Sequence, residues 1–328
     1  MINVKKILAL ILSAAMLFLF VGCEKNNFND TNDSNVSEIS QDGSESNVDD
    51  SSSNDMFNLF NYESDDVFNI ERVGLRSEKS AESVTYQFNF MSDGYRIKAY
   101  ISIPLEIIDA QKPCKCIIYN RGGNSNLDSL KGSDTSFLCA AANRIVAACE
   151  IRGSNGSEGV DQFGGDDLHD VIKLIDICEN SFSFIDMNDF CVVGVSRGGI
   201  MTYMAARQDK RIQKIIVASS ISDLAQSYEE REDKMKETLI NCIGGTPEEM
   251  PLEYEKRSAL YWADEIKVPV LLIHSKNDPK ANFETQAQKI YDKLKDTTSC
   301  TFITHDDDYH GIHKDDIQKI KEWLEDSQ

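Results

Sequence analysis

One stretch of this chain combines a nucleophile with the geometry a nucleophile needs. Val192-Val193-Gly194-Val195-Ser196-Arg197-Gly198-Gly199 reads as an apolar strand, then G-x-S-x-G, then the start of a helix. A serine that attacks a carbonyl must stand on a tight turn with its hydroxyl exposed. That turn packs against both strand and helix, so small residues are required two positions before and two after. The helix that starts there also aims its first amides at the site, where they favour a developing negative charge. The alternative reading is a plain glycine-rich turn.

A serine nucleophile needs a base, and the base needs an acid to orient it. Behind a G-x-S-x-G elbow between strand and helix, the order is serine, then acid, then histidine. Asp278 follows the apolar run Val268–His274, where a post-strand acid belongs, and His310 lies on the loop between Cys300–Thr304 and the last helical segment. One helix and one strand separate the two, which brings their loops side by side. His305 and His313 compete for the base, and Asp223 for the acid. His169 falls outside the expected order, and His274 reads as a packing residue at a strand end. A third element is Cys116-Ile117-Ile118-Tyr119-Asn120-Arg121-Gly122-Gly123, a strand ending in a glycine pair. Its exposed backbone amides, at Arg121 and Gly122, are candidates to share an oxyanion with the amide of Arg197; the competing reading is a simple turn.

These residues need a framework to hold them. Val84–Met91 and Tyr95–Ile103 form two strands around the hairpin signal Ser92-Asp93-Gly94. Strands follow at Lys115–Tyr119, Arg144–Ile151, Asp189–Val195, Ile212–Ala218, Val268–His274 and Cys300–Thr304. Helices are expected at Asp166–Glu179, Gly198–Arg207, Phe283–Leu294 and Asp315–Leu324, from apolar residues at helical spacing. An antiparallel start followed by strand–helix alternation predicts an α/β fold, a mostly parallel twisted sheet with helices on both faces. Ligands of such sheets lie beyond the C-terminal strand ends, and all the candidates fall there. The segment of about residues 222–262, between two strands, is expected to form a short cap; its Tyr228, Met235, Tyr254 and Tyr261 are pocket or packing residues.

At these residues the chain resembles the α/β-hydrolase domain of the prolyl oligopeptidase family of serine peptidases. The resemblance rests on Tyr119–Gly123, on Arg152-Gly153-Ser154 with Gly164–Val171, and on Gly194–Gly199. Its most specific part is Gly244-Gly245-Thr246-Pro247, running through Tyr254-Glu255-Lys256-Arg257-Ser258 to His274. It implies Ser196 as nucleophile, Asp278 as acid and His310 as base, with no cofactor. Some members place a tyrosine in the oxyanion hole where this chain has Arg121, and larger members carry a propeller. The substrate it implies is a small peptide or an ester. A catalytically silent binding lipoprotein on the same fold is the reading from a different class.

The N-terminus differs in kind. Lys5 and Lys6 precede the apolar run Ile7–Val21, which is shorter than the roughly 20 residues of a bilayer span and has the shape of a secretory signal. It ends Phe20-Val21-Gly22-Cys23, similar to a bacterial lipobox. Residues 1–22 are therefore expected to be a lipoprotein signal, with Cys23 lipidated and the protein held outside the cytoplasmic membrane. Residues 23–66, rich in Asn, Ser and Asp, cannot bury enough apolar surface to offset ordering entropy and are read as a disordered acidic tether. Residues 67–328 remain for the hydrolase domain.

The net charge is −21, from 34 Lys+Arg against 55 Asp+Glu. This disfavours a nucleic-acid partner, which requires a basic face. No H-E-x-x-H or paired-ligand motif points to a metal, and the glycines around Ser196 do not make the G-x-G-x-x-G of a dinucleotide site. Of the nine Cys, the eight other than Cys23 mostly sit in apolar runs, as small buried hydrophobes do, and suggest no disulfide framework.

Overall fold

A computed structural model describes residues 67–74, 82–110, 113–125, 129–181 and 185–326. The expected signal, Cys23 and the tether lie outside the described residues. Among those described, no helix is long and apolar enough to cross a membrane.

The strands are β1 (Val67–Arg72), β2 (Ser83–Ser92), β3 (Tyr95–Pro104), β4 (Cys114–Asn120), β5 (Ile145–Cys149), β6 (Ile185–Val195), β7 (Lys214–Ala218), β8 (Val270–Ser275) and β9 (Cys300–His305). They form one sheet in the order β1-β2-β3-β5-β4-β6-β7-β8-β9. The pairs β1–β2, β2–β3 and β3–β5 are antiparallel, and every pair from β5 to β9 is parallel. The parallel centre is buried on both faces, so β7 (KIIVA) and β8 (VLLIHS) read as continuous runs without alternation.

The helices are α1 (Leu105–Ala110), α2 (Gly132–Ala142), α3 (Leu168–Ser181), α4 (Arg197–Gln208), α5 (Leu224–Glu230), α6 (Asp233–Ile243), α7 (Pro251–Lys256), α8 (Lys289–Leu294) and α9 (Asp316–Asp326). A π-turn segment, Phe283–Gln288, runs into α8, so the single helix expected over Phe283–Leu294 is split in two. Strand β1, helix α1 and helix α2 were not expected. Helix α2 lacks a clear apolar stripe because two of its buried residues are polar: Thr135 accepts a 2.8 Å hydrogen bond from Ser102, and Ser136 lies 3.1 Å from Ser83. The chain from β7 to β8 carries α5, α6, α7 and two short 3₁₀ turns.

The two ends of the sheet are built differently. At the N-terminal end of the parallel strands, Asp189 sits among Lys115 (2.9 Å), Arg144 (3.1 Å) and Lys214 (2.9 Å). Arg144 and Lys214 also donate to the Leu324 carbonyl, at 3.0 and 2.9 Å, anchoring the last turn of α9. Burial pushes the Asp189 carboxyl up, but the three cations outweigh it and bring it down to about 2, from an ordinary 3.8. A depressed carboxyl stabilises the fold above its unfolded value, and that contribution is lost as pH falls from about 4 toward 2. It amounts to about 2 kcal/mol. Asp189→Asn also strands buried cations, so it is expected to cost about 3 kcal/mol at pH 7 and to lower Tm by roughly 5–10 °C. Thermal unfolding at pH 7, with acid titration of both proteins, checks this: the variant should respond less between pH 4 and 2. An unchanged Tm would contradict it.

Candidate active site

The C-terminal strand ends carry the candidates. Asn120 pairs with Gly194 in register, so the ends of β4 and β6 lie side by side. The chain crosses from one half of the sheet to the other here, which is where open α/β sheets place their ligands. Ser196 follows β6 directly and precedes the first residue of α4. Its backbone is at φ 55°, ψ −123°, a conformation a non-glycine residue rarely adopts, and its amide donates to the Ala218 carbonyl at 2.9 Å.

The neighbouring glycines allow this turn to exist. A Cβ on Gly194 would collide with the Gly198 carbonyl and Thr202, and one on Gly198 with the Asn120 carbonyl. A Cβ on Gly199 would collide with Ser220. A Cβ on Gly122 would stand 3.2 Å from the Ser196 Cβ, so the Gly122 backbone faces the serine. The first amides of α4, beginning with Arg197, have no partner within the helix.

His310 and Asp278 meet beyond β8 and β9, whose ends are in register at Ser275 and His305. The His310 Nδ1 lies 2.9 and 2.8 Å from the two Asp278 carboxylate oxygens. Asp278 Oδ1 also accepts from the amides of Lys280 (2.8 Å) and Ala281 (3.1 Å). Burial raises the Asp278 carboxyl, but the His310 hydrogen bond and charge, with the Lys280 amide, outweigh it and hold it below its ordinary value. An ionised carboxylate only accepts, so Nδ1 donates and Nε2 is left as the proton acceptor. The Gly311 amide donates to Ser219 Oγ at 2.9 Å, tying the His310 loop to the end of β7. Nothing in the sequence marks Ser219 beyond its place after a strand.

The other candidates are engaged elsewhere. His305 lies 2.9 and 3.1 Å from the two Asp316 oxygens. His313 lies 3.2 Å from Ser275 Oγ and its ring is 3.9 Å from that of His305. His169 pairs with Asp93 of the β2–β3 turn at 2.8 Å. His274 is buried, which lowers its pKa, and its Nε2 lies 2.8 Å from the Ala281 carbonyl. Asp223 caps α5 through the Gln226 amide at 3.1 Å. Of the aromatic candidates after β7, Tyr254 is buried and donates to the Gly245 carbonyl at 3.1 Å, whereas Tyr261 is exposed.

Both arginines at the site have their side chains held by buried carboxylates. Arg121 is buried, donates to Glu150 from Nε at 2.7 Å and holds the Gly122 carbonyl at 2.8 Å. Arg197 is held by Asp161 and Asp167 at 2.7 and 2.6 Å, with its guanidinium 4.7 Å from the Phe163 ring centre. The eight Cys from Cys114 onward are all free thiols, five buried and three partly exposed. Among the described residues no group of His, Cys, Asp or Glu is arranged to hold a metal ion.

The sheet order, the strained Ser196 turn and the paired loops after β8 and β9 define an α/β-hydrolase fold. The sequence profile of the prolyl oligopeptidase family matches residues 131–327, and the chain belongs to that family. It is a serine hydrolase. An uncharacterized peptidase of Bacillus subtilis, YtmA, is 28% identical over 212 residues, covering 64% of this chain and 79% of its own. Dipeptidyl peptidase family member 6 of Caenorhabditis elegans is 21% identical, covering 80% of this chain and 40% of its own length. Among solved structures, an acylaminoacyl peptidase bound to Z-Gly-Gly-Phe-chloromethyl ketone superposes with TM-score 0.62 at 22% identity, over 74% of this chain but only 41% of that one. Acetyl xylan esterase 1 of Thermoanaerobacterium sp. superposes with TM-score 0.62 at 16% identity, over 84% of this chain and 93% of that one. These two likenesses speak to the fold.

Proposed function

We propose that this serine hydrolase cleaves peptide or ester acyl bonds through an acyl-enzyme formed on Ser196. The observation that carries the proposal is the His310–Asp278 pair at 2.8 Å, on loops beyond the same sheet end as the strained Ser196 turn. Asp278 fixes the imidazole with Nδ1 as donor. Nε2 of His310 then takes the Ser196 proton as Oγ attacks the carbonyl carbon. The amides of Gly122 and Arg197 donate to the oxyanion. His310 returns the proton to the leaving group, and water, deprotonated by the same nitrogen, releases the acyl part and restores Ser196.

Because the Arg121 side chain is spent on Glu150 and the Gly122 carbonyl, the oxyanion is held here by backbone amides, with no side-chain donor from position 121. The segment from α5 to α7, between β7 and β8, would cap the site. Lipidation of Cys23 would hold the enzyme outside the cytoplasmic membrane, with the acidic tether between anchor and domain.

The deciding experiment is a hydrolysis panel of short-acyl nitrophenyl esters and aminoacyl nitroanilides on the purified protein. Ester turnover that depends on Ser196, without anilide turnover, is the mark of an esterase. Anilide turnover marks a peptidase. Failure on both classes would overturn the proposal.

A further inference from the structure

Two amides from different strand–loop junctions can share one oxyanion only if something fixes the spacing between them. Asp161 makes that connection. Its Oδ2 accepts from the Arg197 guanidinium at 2.8 Å and from the Ser125 amide at 2.9 Å. Its Oδ1 accepts from the Phe163 amide at 2.9 Å and lies 2.7 Å from Arg197 Nη2. Arg197 adjoins the nucleophile, and Ser125 is three residues beyond Gly122 on the facing loop. One carboxylate therefore joins the two strand ends that carry the proposed oxyanion donors.

The surroundings are built for rigidity. Asp161 and Arg197 are 5% and 2% exposed. Asp167 takes the other side of the guanidinium at 2.6 Å and caps Gly164 at 3.1 Å. Phe163, whose ring lies against that guanidinium, is held at φ 53°, a conformation costly for a bulky residue. On the opposite side, Glu150 receives Arg121 and the Leu130 amide, both at 2.7 Å. The loop bearing Gly122 is thus pinned from two directions.

We infer that Asp161 is a positioning residue: through Arg197 and Ser125 it sets the distance between the amides of Gly122 and Arg197. The inference rests on the proposed roles of Ser196 and those amides. All four contacts of Asp161 require an acceptor. In Asp161→Asn, one position becomes an NH₂ that faces two N–H donors, so the bridge opens on one side. The amides serve the tetrahedral oxyanion more than the bound ester, so the loss should fall on kcat. A displacement of around 1 Å at such a site costs up to about 10²-fold in rate.

The test uses the full chain with whichever nitrophenyl ester it hydrolyses. Asp161→Asn should lower kcat roughly 10- to 100-fold with KM within about threefold. It should also weaken inhibition by a boronic acid, which forms a tetrahedral adduct, by a similar factor. Ser125→Pro removes the loop's N–H and leaves the Arg197 pair in place, so it should move kcat and boronate inhibition the same way. It carries the test alone if Asp161→Asn does not fold. A loss confined to KM, or an unchanged kcat and boronate inhibition in the folded variants, would overturn the inference. Ser196→Ala in the same assay separates the two levels: if it retains wild-type turnover, the proposed mechanism fails, whereas an inactive Ser196→Ala beside a normal Asp161→Asn defeats only the positioning role.

Discussion

Ser196→Ala should reduce kcat by roughly 10⁴- to 10⁶-fold while leaving the fold intact. The size of the loss follows from the proposed mechanism. Without Oγ there is no acyl-enzyme, and His310 and the oxyanion amides retain only the ability to assist direct attack by water. Removing Oγ does not disturb the turn, because the strain at Ser196 lies in its backbone, at φ 55°, and the Ala218 carbonyl still accepts the residue's amide. Thermal unfolding should therefore show a Tm near that of the wild type. Ester hydrolysis by both proteins measures the effect; retention of more than a few per cent of turnover would place the nucleophile elsewhere.

Asp278→Asn should lower kcat by about 10⁴-fold, again with the protein folded. The reason is the set of donors around the carboxylate. Oδ1 accepts from the amides of Lys280 and Ala281, so the asparagine carbonyl oxygen is fixed on that side. The NH₂ then takes the Oδ2 position, the nearer of the two to His310 Nδ1 at 2.8 Å, where it favours an acceptor at Nδ1. The imidazole proton moves to Nε2, the nitrogen that should receive the serine proton. The base is present in the wrong tautomer. KM should change little, because Asp278 is buried and would act only through His310. Steady-state kinetics of the variant check the split. A loss carried by KM would argue that Asp278 shapes the binding surface instead.

The sequence made the centre of this molecule legible because the centre is where physical constraint is greatest. Parallel strands buried on both faces must be apolar throughout, and β6 and β8 announce themselves for that reason. The elbow at Ser196 is equally readable, since the Gly198 position meets the Asn120 carbonyl and tolerates no side chain. Helix α2 was hidden because hydroxyl groups replace apolar residues on its buried face, with Thr85, Ser102 and Thr135 hydrogen-bonded in series. Strand β1 was hidden because it is a short edge strand with a register shift between Phe68 and Glu71.

The outer layer of the site was hidden for a different reason. Asp161, Glu150 and Ser219 act through contacts to residues 36, 29 and 92 positions away in the chain. No local spacing records such contacts, and buried carboxylates look like surface ones until their partners are placed. The aromatic residues after β7 were ambiguous for the same reason, and the structure separates them: Tyr254 is packed inside and Tyr261 stands in solvent.

Everything proposed for this site depends on Ser196 being a nucleophile activated by His310 and Asp278. The most direct measurement is covalent labelling of the purified protein with a fluorophosphonate, followed by mass spectrometric location of the adduct. A single phosphonylated residue, Ser196, is expected in the wild type, with no adduct in Ser196→Ala and much slower labelling in His310→Ala. An adduct on another residue, or equal labelling of wild type and Ser196→Ala, would contradict it.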